Sequence, residues 1–261
     1  QKIMLMTTLT APLRWLQAII FNRKIKKVTF EDKPPVFVLG HWRSGTTLLH
    51  NLLSQDDQFI FPDTYQCFLP GVFLTGKSFL KSIHRRTLPV VRPMDNVAMD
   101  PDFPQEEEFA MSSLTCHSYY QSIFFPSRMP GLFQSFALMK SPCLKEWAQQ
   151  YLFFLRKVTY ARSGKQLLLK NPVNTVRLTH LLKLFPNARF IYLYRNKEEV
   201  LRSTYKLYHD LFRINSFQNI TSTVLSENIL TIYTETLGAY QSQKHNIDER
   251  NLIEISYDDL I

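Results

Sequence analysis

The segment Gly40-His41-Trp42-Arg43-Ser44-Gly45-Thr46-Thr47 has G-x-x-x-x-G spacing. Glycines at those points let the backbone curl until successive N–H groups converge on one anion. A nucleotide loop of the Walker type would continue with Lys-Ser or Lys-Thr, the lysine reaching the β- and γ-phosphates. Here Thr46-Thr47 follows Gly45, and the cation stands inside the loop at Arg43. A second anion site is suggested by Arg195 and by Ser203, eight residues on. A guanidinium grips a phosphate through two hydrogen bonds, and a hydroxyl adds a third. Lys170, just before Asn171-Pro172, could neutralise charge that develops on a leaving phosphate oxygen. Three carboxylates stand together in Pro104-Gln105-Glu106-Glu107-Glu108-Phe109. They could complement a helix dipole, or one could take a proton from an attacking hydroxyl. Adjacent helical positions point about 100° apart, so only one or two acids can face a site. Glu106 shares a face with Phe109 and Ala110 and is the first choice, Glu107 the second.

These residues need elements to hold them. Val36-Phe37-Val38-Leu39 is a short, wholly apolar run, the mark of a buried parallel strand, and Thr46 to Leu53 has helical spacing. The loop therefore lies between strand and helix. Phe59 to Phe61, Leu167 to Leu169, Arg189 to Tyr194 and Leu252 to Ile255 read as further strands. Helices are expected over Gln105 to Leu114, Glu146 to Tyr160, Asn174 to Phe185, Lys197 to Leu211 and Ser222 to Gln243. Strands alternating with helices predict an α/β fold, a parallel sheet flanked by helices. Ligands of such sheets bind beyond the carboxyl ends of the strands. Gly40 to Thr47, Lys170 and Arg195 all follow strands.

Between Pro62 and Pro142 the periodicity is poor and the composition is rich in Pro, Phe, Tyr and Met. This stretch is expected to form irregular helices and loops that cover a substrate. An apolar wall with few polar groups suits a hydrophobic alcohol. The chain has 261 residues, 45% of them hydrophobic, and a net charge of +9. That suits one large domain with an anionic ligand. Cys67, Cys116 and Cys143 are too dispersed for a disulfide framework or a zinc site, which favours a reducing, cytoplasmic setting. No RNP-like or zinc-finger pattern supports nucleic-acid binding. Residues 1–33 read as an N-terminal helical segment. Within it, residues 4–27 join apolar residues and Trp15 to Arg23, Lys24, Lys26 and Lys27. A terminal helix packed on the domain is the favoured reading, and a peripheral membrane contact is the other.

The segment VFVLGHWRSGTTLLHNLL resembles the 5′-phosphosulfate loop of sulfotransferases that use 3′-phosphoadenosine 5′-phosphosulfate (PAPS). The R-S-G-T-T form is similar to the tyrosylprotein and bacterial branches. The resemblance implies that the loop N–H groups with Ser44, Gly45, Thr46 and Thr47 hold the 5′-phosphate. It places Arg43 at the sulfuryl group and Arg195 with Ser203 at the 3′-phosphate. It implies a catalytic lysine at Lys170 and adenosine 3′,5′-bisphosphate (PAP) as product. No metal is expected, since no carboxylate or hydroxyl ligand set of the Walker kind appears in the sequence. Bacterial members carry a similar P-Q-E-acid-E stretch after an R-P-M-D stretch, here Arg92-Pro93-Met94-Asp95. Tyrosylprotein sulfotransferases place their base shortly after the loop helix, which makes Asp63 a rival. Cytosolic members use a histidine, and His41, His84 and His117 match that position poorly. The resemblance covers residues 34–261, and because members usually continue beyond the Tyr257-Asp258-Asp259-Leu260 stretch, it implies a C-terminally incomplete domain. A P-loop kinase or NTPase is the alternative, as is a carbohydrate or tyrosine acceptor.

Overall fold

The computed structural model describes residues 2–76, 78–92, 97–139, 142, 144–162 and 165–261, with side chains from Thr8 onward. Pro93, Met94 and Asp95 of the R-P-M-D stretch lie outside the described residues, as does Cys143. Five strands, β1 (Val36–Leu39), β2 (Phe59–Ile60), β3 (Gln166–Lys170), β4 (Arg189–Tyr194) and β5 (Leu252–Ser256), form one sheet in the order β2-β3-β1-β4-β5. Every pairing is parallel. The central β1 is buried along its whole length, which is why its sequence is apolar without alternation.

Side chains of a strand alternate between two faces, and the sheet uses both. Phe37, Leu39, Leu167, Leu169, Phe190 and Tyr192 pack with Trp147, Tyr151 and Phe154. Val36, Val38, Leu168 and Leu193 pack with Leu49 on the other face. The helices among the described residues are α1 (Lys2–Ile25), α2 (Thr46–Leu53), α3 (Thr64–Phe68), α4 (Phe79–Thr87), α5 (Glu108–Leu114), α6 (Met129–Leu132), α7 (Leu144–Ala161), α8 (Leu178–Leu184), α9 (Lys197–Asn215), α10 (Ser222–Gln243) and α11 (Tyr257–Leu260). A second core joins Trp42, Tyr119, Tyr120, Val173, Tyr208, Phe212 and Ile229, tying the loop after β1 to α9 and α10.

Two expected helices are corrected. Asn174 to Phe185 is not continuous: a 3₁₀ turn spans Pro172–Val176, and α8 starts at Leu178. The turn is held from outside, since Asn174 donates to Glu107 (2.6 Å) and Arg177 donates to Glu108 (2.8 Å). The helix expected from Gln105 starts only at Glu108. Upstream, Asp63 and Pro104 form an antiparallel bridge, and the Gln105 N–H donates to the Pro62 carbonyl (2.9 Å), so that backbone stays extended.

The N-terminal helix α1 packs on the domain. Gln17 donates to the Gly71 carbonyl (2.7 Å) and accepts from the Leu74 N–H (2.9 Å), and Phe21 meets Tyr160 edge-on. Its outer side exposes Leu9, Trp15, Leu16, Ile19 and Ile20. Among the described residues no helix is long and apolar enough to cross a membrane.

Candidate active site

The register of β1 with β3 and β4 brings Gly40, Lys170 and Arg195 to one edge of the sheet. After β1 the chain turns sharply. Gly40, Arg43 and Gly45 take φ of 146°, 70° and 97°, a region where only glycine sits without cost. Space demands glycine as well. A Cβ on Gly40 would lie 2.5 Å from the Leu193 carbonyl, and one on Gly45 would lie 2.4 Å from the Tyr257 ring. The loop is pinned by Thr175, whose hydroxyl accepts from the Gly40 N–H (2.9 Å) and donates to the Gly40 carbonyl (3.0 Å). Ser44 is buried, and its hydroxyl donates to the His41 carbonyl (2.8 Å), bracing the loop from within. His41 donates to the Trp42 carbonyl (2.8 Å), and burial pulls its imidazole down to about 4, so it is neutral near pH 7.

Arg43, Gly45, Thr46, Thr47, Arg195 and Ser203 line one cleft of about 320 Å³. Its walls mix polar and apolar side chains, with Arg43 and Arg195 supplying positive charge, and it runs from the N-terminal end of α2 to α9. Arg43 Nε donates to Ser203 Oγ (2.8 Å), so the loop cation bridges to the hydroxyl expected at the far phosphate. Arg195 pairs with Glu199 (2.6 Å) and lies 4.1 Å over the Tyr257 ring. The ring and the carboxylate hold the guanidinium in place.

Lys170 is buried at the end of β3. Its Nζ donates to Thr47 (3.2 Å) and to Oε1 of Glu106. The other Glu106 oxygen accepts from the Tyr120 hydroxyl. Burial and the nearby Glu106 charge hold the Tyr120 hydroxyl well above its ordinary value, so it stays protonated and donates. His50 is buried beside Lys170, and burial with that charge keeps it neutral. The result is a chain of contacts from phosphate loop to lysine to carboxylate to phenol.

The other acids point elsewhere. Glu107 is fully buried and accepts from Tyr151 (2.8 Å) and Asn174 (2.6 Å). Burial pushes its carboxyl up to about 7. Glu108 is buried against Arg177, Ser118 and Asn171. Asp63 caps α3 by accepting from the Gln66 N–H (2.8 Å) and pairs with Arg162 (2.7 Å). None of these three lines the cleft or its neighbours. Glu106 lines the cleft and a second, apolar cavity of about 440 Å³. Phe68, Phe109, Tyr120, Phe124, Tyr208 and Leu211 form much of its wall. The two spaces meet at Trp42, Arg92, Glu106 and Leu207. Arg92 also borders a smaller pocket with Thr47 and Lys170.

Sequence reasoning missed Thr175, Tyr120 and Trp42. Thr175 follows a strand, which was a usable signal. Tyr120 lies in a stretch without periodicity and offered none. The α9 residues Leu207, Tyr208, Leu211 and Asn215 also line the apolar cavity, so its wall is not confined to residues 62–142.

Residues 34–261 match the sulfotransferase family. The chain is 34% identical over 254 residues to the omega-hydroxy-beta-dihydromenaquinone-9 sulfotransferase Stf3 of Mycobacterium tuberculosis, and equally to that of Mycobacterium bovis. The match covers 94% of this chain and 63% of each relative, so the chain spans under two thirds of their length. The fold is similar to two solved structures. Sulfotransferase STF1 from M. tuberculosis superposes with a TM-score of 0.74 at 16% identity, covering 95% of this chain and 68% of that one. Sulfotransferase STF9 from Mycobacterium avium superposes with a TM-score of 0.76 at 17% identity, covering 95% and 64%.

Proposed function

The chain belongs to the sulfotransferase family, and on that premise we propose that it moves a sulfuryl group from PAPS to the hydroxyl of a small hydrophobic alcohol. The carrying observation is the position of Glu106, buried where a cation-lined cleft meets an apolar cavity. A nucleotide fits the first space and a lipid-like acceptor fits the second. Thr46, Thr47 and the loop N–H groups would hold the 5′-phosphate at the N-terminal end of α2, where backbone donors and the helix dipole favour an anion. Arg195 and Ser203 would hold the 3′-phosphate.

Glu106 takes the proton of the acceptor hydroxyl. The oxygen attacks sulfur, and the bond from sulfur to the 5′-phosphate oxygen breaks. Lys170, fixed between Thr47 and Glu106, neutralises the charge left on that oxygen. Arg43 supplies a further positive charge within the cleft. Glu107 and Asp63 keep structural roles in this reading. The reaction draws its rate from positioning and electrostatic stabilisation.

The mycobacterial relative is named for an omega-hydroxy-beta-dihydromenaquinone-9. A quinone-type alcohol is therefore the first acceptor to test, and the apolar cavity supports that class over a carbohydrate. We assign residues 34–261 to the transferase domain, with 62–142 and α9 walling the acceptor. The free thiols Cys67 and Cys116 fit a cytoplasmic setting. The test is incubation with PAPS and a panel of quinone-type, sterol and phenolic alcohols, followed by mass spectrometry. The reading expects a sulfated product from at least one apolar alcohol. Release of sulfate or PAP without any sulfated alcohol counts against it.

A further inference from the structure

The cavity that Glu106 borders is walled partly by aromatic rings that are themselves exposed. Phe68 and Phe124 both line it, and each is 41% exposed. Both lead to more apolar surface. Phe124 stacks on Phe217 with 6.0 Å between rings, and the Phe217 N–H donates to the Phe124 carbonyl (3.0 Å). Phe217 is 77% exposed, and Ile214 beside it is also exposed. Phe68 rests on His84 of α4, 5.7 Å between rings. That helix buries none of its residues and presents Phe79, 73% exposed, together with Ile83. Isolated exposed apolar residues are ordinary, but a set on the segments packed against the exposed lining rings of an apolar cavity marks a contact surface.

The charges beside this rim indicate the partner. Arg86 on α4, Arg128 after Phe124-Phe125 and Arg213 before Ile214 are exposed. Ser127, next to Arg128, donates to Gln218 (2.7 Å), which places that arginine near Phe217. Lys81 and Arg85 on α4 are already paired with Asp102, and Arg85 also with Asp100. Rings and aliphatic groups flanked by guanidinium groups suit the boundary between acyl chains and anionic headgroups.

We propose that this rim, formed by Phe79 and Ile83 on one side and Phe124, Ile214 and Phe217 on the other, docks on an anionic phospholipid bilayer. A lipid-soluble alcohol then enters the cavity beside Glu106 without crossing water. The proposal rests on the transferase reading for what enters, and on geometry alone for the docking.

The test uses vesicles of equal parts phosphatidylcholine and phosphatidylglycerol, with sedimentation as the readout. The parent chain should co-sediment, less so at high salt. The double variant F79S/F217S should lose affinity by at least about 10-fold, the cost of two exposed aromatic anchors. R128E/R213E should also weaken binding, while W15S/I19S on α1 should leave it within about 2-fold. Neither Phe79 nor Phe217 lines the cavity, so F79S/F217S should keep the parent's turnover of a water-soluble phenol and lose it only for an alcohol embedded in vesicles. Unchanged melting of each variant shows that folding is intact. The proposal is overturned if the parent binds no vesicles, if F79S/F217S binds like the parent, or if only W15S/I19S loses binding. It is also overturned if light scattering shows a parent dimer that F79S/F217S converts to monomer, since the rim would then cover a second copy. Vesicle binding with no turnover of either acceptor would sink the transferase reading and leave the docking standing.

Discussion

Glu106 and Glu107 are adjacent in sequence and opposite in circumstance. Glu106 faces two cavities and holds Lys170 and Tyr120, while Glu107 is closed in with Tyr151 and Asn174. The Glu106→Gln variant should lose turnover by about 10²- to 10⁴-fold, the usual share of a general base, while binding PAP as the parent does. Retained turnover would remove Glu106 from the mechanism. Glu107 makes a separate prediction about stability. Its folded carboxyl sits at about 7, raised from 4.5 by burial. The folded state therefore binds this proton more tightly than the unfolded state. The associated stability is fully present below about 4.5 and is lost as pH rises through about 7. Glu107→Gln mimics the neutral form, so its melting temperature should gain on the parent's as pH rises across that window. A constant difference would contradict the assignment. That the loop, Lys170, Arg195 and Ser203 gather at one end of the sheet was legible in the sequence, because they follow strands or keep a fixed spacing. The distinction among the acids was not, because it depends on partners distant in sequence, such as Asn174, 67 residues from Glu107.

At the scale of elements, the proposed phosphate site depends on the turn that joins β1 to α2. Gly45→Ala would place a methyl group against Tyr257 at a backbone angle that alanine resists. It should cost about 1–3 kcal/mol of stability, read by denaturant unfolding, and weaken PAP binding. A fully stable variant with parental affinity would mean that the curl is not needed. The pair between Glu108 on α5 and Arg177, just before α8, is wholly buried. Removing one partner leaves an uncompensated charge, so Arg177→Ala should destabilise by about 3–5 kcal/mol in the same measurement. A loss near zero would show that the pair does not join those elements. The strands and α10 were readable from apolar runs and helical period. The broken helix between Asn174 and Phe185 was not, since side-chain bonds to α5 and its N-terminal flank end the 3₁₀ turn there. The late start of α5 has the same kind of cause: the extended backbone at Pro104 is set by the bridge to Asp63.

For the whole molecule, one parallel sheet carries the cation-lined cleft at its carboxyl edge, and the irregular region with α9 walls the apolar cavity beside it. The central claim is that the cleft was made for a nucleotide with a 5′-phosphosulfate and a 3′-phosphate. In the proposed reading Arg195 and Ser203 would hold the 3′-phosphate, and Arg195→Ala should weaken binding by about 10- to 100-fold, as expected for a lost charge-assisted contact. Calorimetric titration with PAP in the absence of Mg²⁺ tests this most directly. The account predicts one tight site for PAP, weakened in Arg195→Ala, with little binding of ATP. Mg²⁺-dependent binding of ATP with no binding of PAP would contradict it.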